Sequence, residues 1–435
     1  MASEKRTSLS ATLASATCAL LGTTALSPVL AEDVGDWEFD TSLLYYGESD
    51  DRVQDASLNL LAKRLFSDEH SLTLGLGVDA LTGATPNGAL QQPVAQTFTR
   101  PSGNDNYTIA PGELPLDDTF HDTRVSLTAN WQQPLGRLYK LDVGASASNE
   151  YDYTHLGLNA KLARDFNRRN TTLSGSIALA RDEIDPVGGT PAELSLMRPI
   201  DDLGNRRGAE TKDVLDLVVG VTQVVSRNTI VQLNYSYSDA SGYLNDPYRI
   251  LSVVDGVTGE AVPYSLTPEA GAPSHLYRFE SRPDSRTKQS IYAEGRHFMN
   301  GKVLNAAYRY MTDDWEIDSH TFDFRLRWPL GAATYLEPHF RYYTQQKADF
   351  YSVSLVDGAP LPAFASNDYR LGDFDAITAG LKFGWQTRSN HDLSVRVELY
   401  QQRGEYPADQ LIGTQPQVAA YPDMDAIIAQ FSYRF

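Results

Sequence analysis

The sequence predicts an all-β fold: a transmembrane antiparallel up-and-down β-barrel of about 16 strands, with short periplasmic turns and long extracellular loops. Three observations predict it. Apolar and polar residues alternate with period 2 along most of the chain. The connections between alternating runs are short and long by turns. Aromatic residues fall at two levels on the apolar face.

The first element is a leader. Lys5 and Arg6 precede a mildly apolar run that ends at Val29-Leu30-Ala31, and EDVGDWEF follows at once. This reads as a secretory signal over residues 1–31, with the barrel over residues 32–435. Ser and Thr interrupt the run, which lacks the ~20 apolar residues of a membrane-spanning helix.

The strand-like runs follow in order: 37–46, 52–65, 71–80, 120–131, 137–148, 153–164, 171–181 and 211–225, then 228–239, 286–298, 302–312, 316–328, 332–345, 374–386, 391–402 and 424–435. In the third, Leu72, Leu74, Leu76 and Val78 alternate with Thr73, Gly75 and Gly77. In the twelfth, Phe322, Phe324, Leu326 and Trp328 oppose Thr321, Asp323, Arg325 and Arg327. The last run, AIIAQFSYRF, ends on Phe435, with Phe431 and Tyr433 on the same face, the pattern that barrel-insertion machinery reads.

Connections after even-numbered runs are short: SDEH, QQPLG, DFNRRN, SRN, MNG, PLG and TRSN. Several after odd-numbered runs are long: 81–119, 182–210, 240–285, 346–373 and 403–423. Trp37, Trp131, Trp328 and Trp385 lie near the short-turn end, and Tyr45, Tyr237, Tyr310 and Tyr342 near the other. These are the two aromatic girdles of a barrel in lipid. A soluble β-sandwich has no reason to sort its loops or level its tryptophans in this way.

Charge and side-chain chemistry bound the function. The formal charge is −19, and losing Glu4, Lys5 and Arg6 with the signal makes it −20. Phosphate repulsion then argues against nucleic acid as a partner. Cys18 is the only cysteine and lies in the signal, so the mature chain has no disulfide, thiolate metal site or haem attachment motif. The eight histidines are scattered, without metal-ligand spacing, and no metal site is expected. Acid pairs at Asp50-Asp51, Asp117-Asp118, Asp201-Asp202 and Asp313-Asp314 read as solvated loop residues. No nucleophile elbow, catalytic triad order or phosphate loop stands in a suitable context, and the chain is not read as an enzyme. Inward positions carry both signs, among them Glu294, Asp323, Glu398, Arg325, Arg341 and Arg396. They read as a paired, hydrated lining or as a charge ladder that orients a solute.

Several stretches together resemble a bacterial family of outer-membrane barrels of unknown function: WEFDTSLLYYGE (37–48), VDALTGATPNGA (78–89), DTRVSLTANWQQPL (122–135), NEYDYTHLGLNAKLARDFNRRNTTLSGSI (149–177), DPVGGTP (185–191), GYLNDPYR (242–249) and ESRPDSRTKQS (280–290). The resemblance spans almost the whole mature chain. It implies residence in the outer membrane of a Gram-negative bacterium, among its lipids. It also implies genetic association with an FMN transferase, a thioredoxin-like protein and a small lipoprotein.

That association directs attention to LGVDALTGATPNG. Asp79, Thr82, Gly83, Ala84 and Thr85 fill every specified position of D-x-x-[S/T]-G-A-[S/T], which resembles the acceptor motif of such transferases. In that pattern Thr85 is the acceptor of covalent FMN, and small neighbours let an extended segment enter the enzyme. The same residues also read as a strand end followed by turn chemistry at Pro86-Asn87-Gly88. Pro86 directly after the acceptor, and the outer side expected for this loop, count against attachment. Three functions follow as expectations: a flavin carrier in electron transfer at the cell envelope, a porin-like channel for small solutes, or a structural barrel that houses the small lipoprotein.

Overall fold

The computed structural model describes residues 36–435 apart from 50, 51, 68, 84, 118–120, 203, 266, 268 and 269. The expected signal with Cys18, and Asp50, Asp51, Ala84 and Asp118, lie outside the described residues.

Among the described residues, sixteen long strands close into one antiparallel barrel. They are β1 (Trp37–Glu48), β2 (Gln54–Ser67), β3 (His70–Thr82), β4 (His121–Leu135), β5 (Tyr139–Asn149), β6 (Tyr153–Phe166), β7 (Thr171–Ile184) and β8 (Glu210–Ser226). β9 (Thr229–Gly242), β10 (Ser285–Met299), β11 (Lys302–Asp313), β12 (Asp318–Pro329), β13 (Thr334–Gln345), β14 (Phe374–Gln386), β15 (Asp392–Gly404) and β16 (Met424–Arg434) complete it. Each strand pairs with its sequence neighbours, and β1 pairs with β16 through Leu43↔Phe431 and Tyr45↔Ala429. Phe435 finishes the seam: it exchanges backbone hydrogen bonds of 2.8 and 2.9 Å with Phe39 and stacks on that ring at 5.4 Å. Closure leaves no unpaired edge, so every strand can satisfy its backbone polar groups within the sheet, as a lipid environment demands.

The alternation expected from sequence is the alternation observed. Leu127, Leu156, Leu158, Val219 and Leu399 all point outward and are 57–64% exposed. In water each such side chain would forgo roughly 1.5–3 kcal/mol of burial, whereas lipid covers the band. Trp37 and Trp328 stand exposed at the short-turn end, and Tyr45 stands exposed toward the other. The barrel therefore lies in a Gram-negative outer membrane with its short turns in the periplasm. The turn Asn300-Gly301 joins β10 to β11 with φ of 49° and 81°, which suits the right-handed twist of a two-residue hairpin.

The lumen has two unlike walls. Over β4–β9 many inward residues are small and uncharged, for example Ser126, Thr128, Asn130, Gly144, Ser174 and Asn234, with charges such as Arg124, Asp142, Lys161 and Asp216 among them. Thr128 and Asn130 are exposed although they face inward, so water reaches this wall. Over β10–β15 the inward residues are large and charged. There His339 donates or accepts at both ring nitrogens, 2.8 Å from Glu398 and 3.0 Å from Asp323.

The long loops do not stand open. They fold over the outer end of the barrel into a cap with apolar clusters of its own. One cluster gathers Leu90, Trp315, Ile317, Tyr351, Val353 and Leu371. A second holds Phe98, Met197, Ile250, Tyr277 and Phe279, and a third Leu194, Leu251, Val253, Leu355 and Ala365. Short strands tie the loops together. Gln96–Thr99 pairs with Asn106–Ile109. Ile250–Val254 lies between antiparallel Tyr277–Phe279 and parallel Leu355–Val356.

Two of the acid pairs depart from the solvated reading. The Asp313 carboxylate is fully buried, pairs with Arg286 at 2.5 Å, and accepts the backbone N–H of Trp315 and Ile317. Asp117 is buried and holds Arg100 at 2.8 Å. Each anchors a loop rather than offering charge to solvent.

Candidate functional site

The residues singled out around Thr85 are strung along the end of β3 and are not gathered into one pocket. Asp79 faces the lumen and accepts from Arg124 across the β3–β4 pair, at 2.7 Å from Nε and 2.6 Å from Nη2. Thr82 is the last residue of β3 and is exposed on the outward face, paired with His121 and Gln54. Gly83 turns the chain at φ +82°, and a Cβ there would stand 2.0 Å from the Arg52 carbonyl oxygen. Ala84 lies outside the described residues. Beyond it Thr85 is half-buried, and residues 86–90 are buried.

Thr85 enters the cap beside a cluster of buried charges. Arg249 Nη2 donates to Thr85 Oγ1 at 2.6 Å. Arg249 belongs to a buried group of three arginines and three acids. Its Nε lies 3.2 Å from Asp246 and 3.8 Å from Asp368. Arg370 reaches Asp368 at 2.5 Å and Asp246 at 3.0 Å. Arg282 bridges Asp368 at 2.9 Å and Glu280 at 2.6 Å. Ser366 Oγ and the Asp246 backbone N–H donate to Glu280, each at 2.5 Å. Arg249 and Arg52 both stand against the Tyr369 ring, 5.8 and 5.7 Å from its centre.

The electrostatics follow from burial against pairing. Burial raises the Asp368 carboxyl, but Arg370, Arg249 and Arg282 outweigh it and hold that group well below the ordinary range. Burial also raises Glu280, and there Arg282 compensates only in part, with Asp246 and Asp368 adding repulsion, so Glu280 stays above the ordinary range. The six charges balance formally. Two donors lack a hydrogen-bond partner among the described residues: Arg282 Nε, which still ion-pairs with Glu280 at 2.6 Å, and Arg249 Nη1, on a residue 3% exposed and with no such counter-charge at that atom.

The Arg249 donor is the local test of fit for a phosphate on Thr85. A phosphodiester at Oγ1 would add one negative charge beside a guanidinium already bonded to that oxygen and holding an unused N–H. Charge-assisted bonds of this kind are the strong ones, and a buried unmatched donor costs about 1–3 kcal/mol. Arg249 would hold the phosphate, and the flavin would supply redox chemistry when attached.

Sequence reasoning named the acceptor segment but not its surroundings. Asp246, Arg249, Glu280, Arg282, Asp368 and Arg370 lie in the long connections 240–285 and 346–373, outside the alternating runs. A signal was present: RILSVV (249–254), HLYRFE (275–280) and YSVSLV (351–356) are apolar runs inside connections too long to be bare loops.

A closed barrel with an apolar outer band, aromatic girdles and a charged lumen defines an outer-membrane β-barrel protein. The chain belongs to the family described as Protein of unknown function (DUF3570), whose model matches residues 10–435. No curated protein matches. Among solved structures, the chain is similar to the siderophore receptor PirA from Acinetobacter baumannii, at 9% identity and a TM-score of 0.40, covering 86% of this chain and 54% of that one. It is similar to the ferric enterobactin receptor PfeA from Pseudomonas aeruginosa at 10% identity and a TM-score of 0.43, covering 92% and 61%. A bacterial polysaccharide outer membrane secretin matches at 9% identity and a TM-score of 0.43, covering 93% and 100%. The chain thus spans little more than half the length of the two receptors.

Proposed function

We propose that Thr85 carries covalent FMN and that the barrel is a flavin carrier for electron transfer at the cell envelope. The observation that supports this most directly is the buried Arg249, bonded to the acceptor oxygen of a complete acceptor motif and with an Nη1 that has no hydrogen-bond partner among the described residues. In the transfer, Thr85 Oγ1 bonds to the FMN phosphorus of FAD. The phosphoanhydride bond breaks, AMP leaves, and the hydroxyl proton passes to solvent. No electrons change hands in that step.

The order of events follows from packing. The acceptor is half-buried and its hydroxyl is engaged, while residues 86–90 are buried in the cap. A transferase needs the segment extended, so attachment precedes closure of the cap, while the chain is still in the periplasm. In that state the five motif residues are read as a linear stretch, and their separation in the folded barrel is no obstacle.

The test is peptide mass. Arg100 precedes Pro101, so trypsin leaves Thr85 in a single peptide from Leu65 to Arg124. Protein made with its FMN transferase should yield that peptide with the added mass of FMN less water. An unmodified peptide would reject the reading.

A second reading, a porin-like path for small solutes, draws support from the water-exposed Thr128 and Asn130 inside the barrel. It requires the cap to open, and conductance across a planar bilayer tests it.

A further inference from the structure

We infer that the charged wall of the lumen is a binding site for a small solute bearing a multiply charged oxyanion, a phosphate or a polycarboxylate. This goes beyond the flavin reading and does not depend on Thr85.

The site is built by β11, β12 and β13. Arg309, Arg325 and Arg341 sit on these three adjacent strands, within two register steps of one another. Arg309 pairs with Thr321, Asp323 with Arg341, and Arg325 with both Asn305 and His339. Their outward neighbours Phe322, Phe324 and Phe340 face lipid, so the arginines face the lumen. All three residues are nonetheless exposed, so lumenal water reaches them.

Their pairing is incomplete. Asp323 is the carboxylate among them, 3.4 Å from Arg325, and its Oδ2 also meets His339 at 3.0 Å. Arg309 has one bond, to Ser290 Oγ at 3.3 Å, and no ion pair among the described residues. The Arg341 side chain makes neither a hydrogen bond nor an ion pair among the described residues. The flanking carboxylates are already engaged: Glu294 on β10 accepts from Tyr292, Arg296 and Asn305 at 2.7, 2.9 and 3.0 Å, and Glu398 on β15 is shared between His339 and Arg396 at 2.8 and 3.5 Å. On these three strands three guanidiniums therefore share the single carboxylate of Asp323, and the flanking Glu294 and Glu398 are held by other partners.

This excess stands against the charge of the whole chain, which is −19. A cleft of one sign between low-dielectric walls focuses its field on what enters. The planar donor forks of arginine suit phosphate and carboxylate oxygens. On the opposite wall Ser126, Thr128, Asn130 and Gly144 leave room and offer neutral hydrogen-bond partners. Entry is from the periplasmic mouth, since the cap lies at the other end.

The experiment is calorimetric titration of the folded barrel in detergent with pyrophosphate and, separately, with citrate. We expect saturable binding of at least one probe, weakened by added salt. The Arg309→Gln/Arg341→Gln variant should bind at least about tenfold more weakly, the loss of two charge-assisted contacts. Arg388→Gln, on an exposed periplasmic turn, should bind as the parent does. The tighter probe identifies the oxyanion class. Heat-modifiable gel mobility reports folding. If the double variant does not fold, Arg341→Glu alone carries the test, with loss of binding expected. Absence of saturable binding of both probes to the parent, or parental affinity in the folded variants, would overturn the inference.

Discussion

Arg249 and Thr85 are 164 residues apart in sequence and 2.6 Å apart at Nη2 and Oγ1. The bond ties the loop after β3 to the loop after β9, inside a buried group of charges. Arg249 is therefore expected to matter more to the cap than to the barrel. Arg249→Ala would leave Asp246 without its Arg249 pair and Asp368 with fewer counter-charges, a change of the kind that costs about 3–5 kcal/mol locally. Hydrogen exchange should rise in residues 85–99 and 243–284 and stay unchanged in the strands. Equal loosening of the strands would contradict this division.

Gly83 is fixed by backbone geometry. Its φ is +82°, and the Arg52 carbonyl oxygen lies 2.0 Å from where a Cβ would sit, which leaves no room for a side chain. Gly83→Ala should destabilise the folded protein by about 1–3 kcal/mol, read from the urea midpoint of refolding in detergent. A midpoint equal to the parent's would show that the turn relaxes freely.

Gly380 controls a contact between strands that are not neighbours. His339 on β13 reaches Glu398 on β15 because Gly380 lies between them in register, and a Cβ there would meet Glu398 Cγ at 2.3 Å. Gly380→Ala should push Glu398 off His339 and cost about 1–3 kcal/mol. In a His339→Ala background the cost should shrink, because the contact is already gone. An undiminished cost would show that steric overlap alone is responsible.

Glu150, in the connection between β5 and β6, is buried, and burial with Asp122 and Asp152 nearby raises its carboxyl to about 8. A carboxyl raised on folding contributes stability that is fully present below its ordinary value of 4.5 and is lost as pH rises through about 8. Stability should therefore fall across that window, and Glu150→Gln should flatten the fall. An identical pH profile in the variant would remove Glu150 as the cause.

The barrel was legible because lipid and lumen impose a strict alternation, as at Phe322, Asp323, Phe324 and Arg325, and each strand carries it independently of the rest. Loop sorting and the tryptophan level then gave the orientation. The cap was not legible, because its contacts join residues from separate loops. Nothing local in DPYRILSVV pairs Arg249 with Thr85 or sets Ile250 beside Tyr277. Asp313 read as a solvated loop acid because its partner, Arg286, lies 27 residues away on the preceding strand. The segment around Thr85 is visible as a motif, while the place of its oxygen beside an Arg249 N–H without a partner among the described residues appears only in the folded cap.

The most direct measurement is intact mass together with in-gel fluorescence of the denatured protein, produced together with an FMN transferase, for the parent and for Thr85→Ala. The account predicts a fluorescent band and a mass increase of FMN less water in the parent, both absent from Thr85→Ala. A dark parent band at the unmodified mass, or a fluorescent Thr85→Ala band, would contradict it.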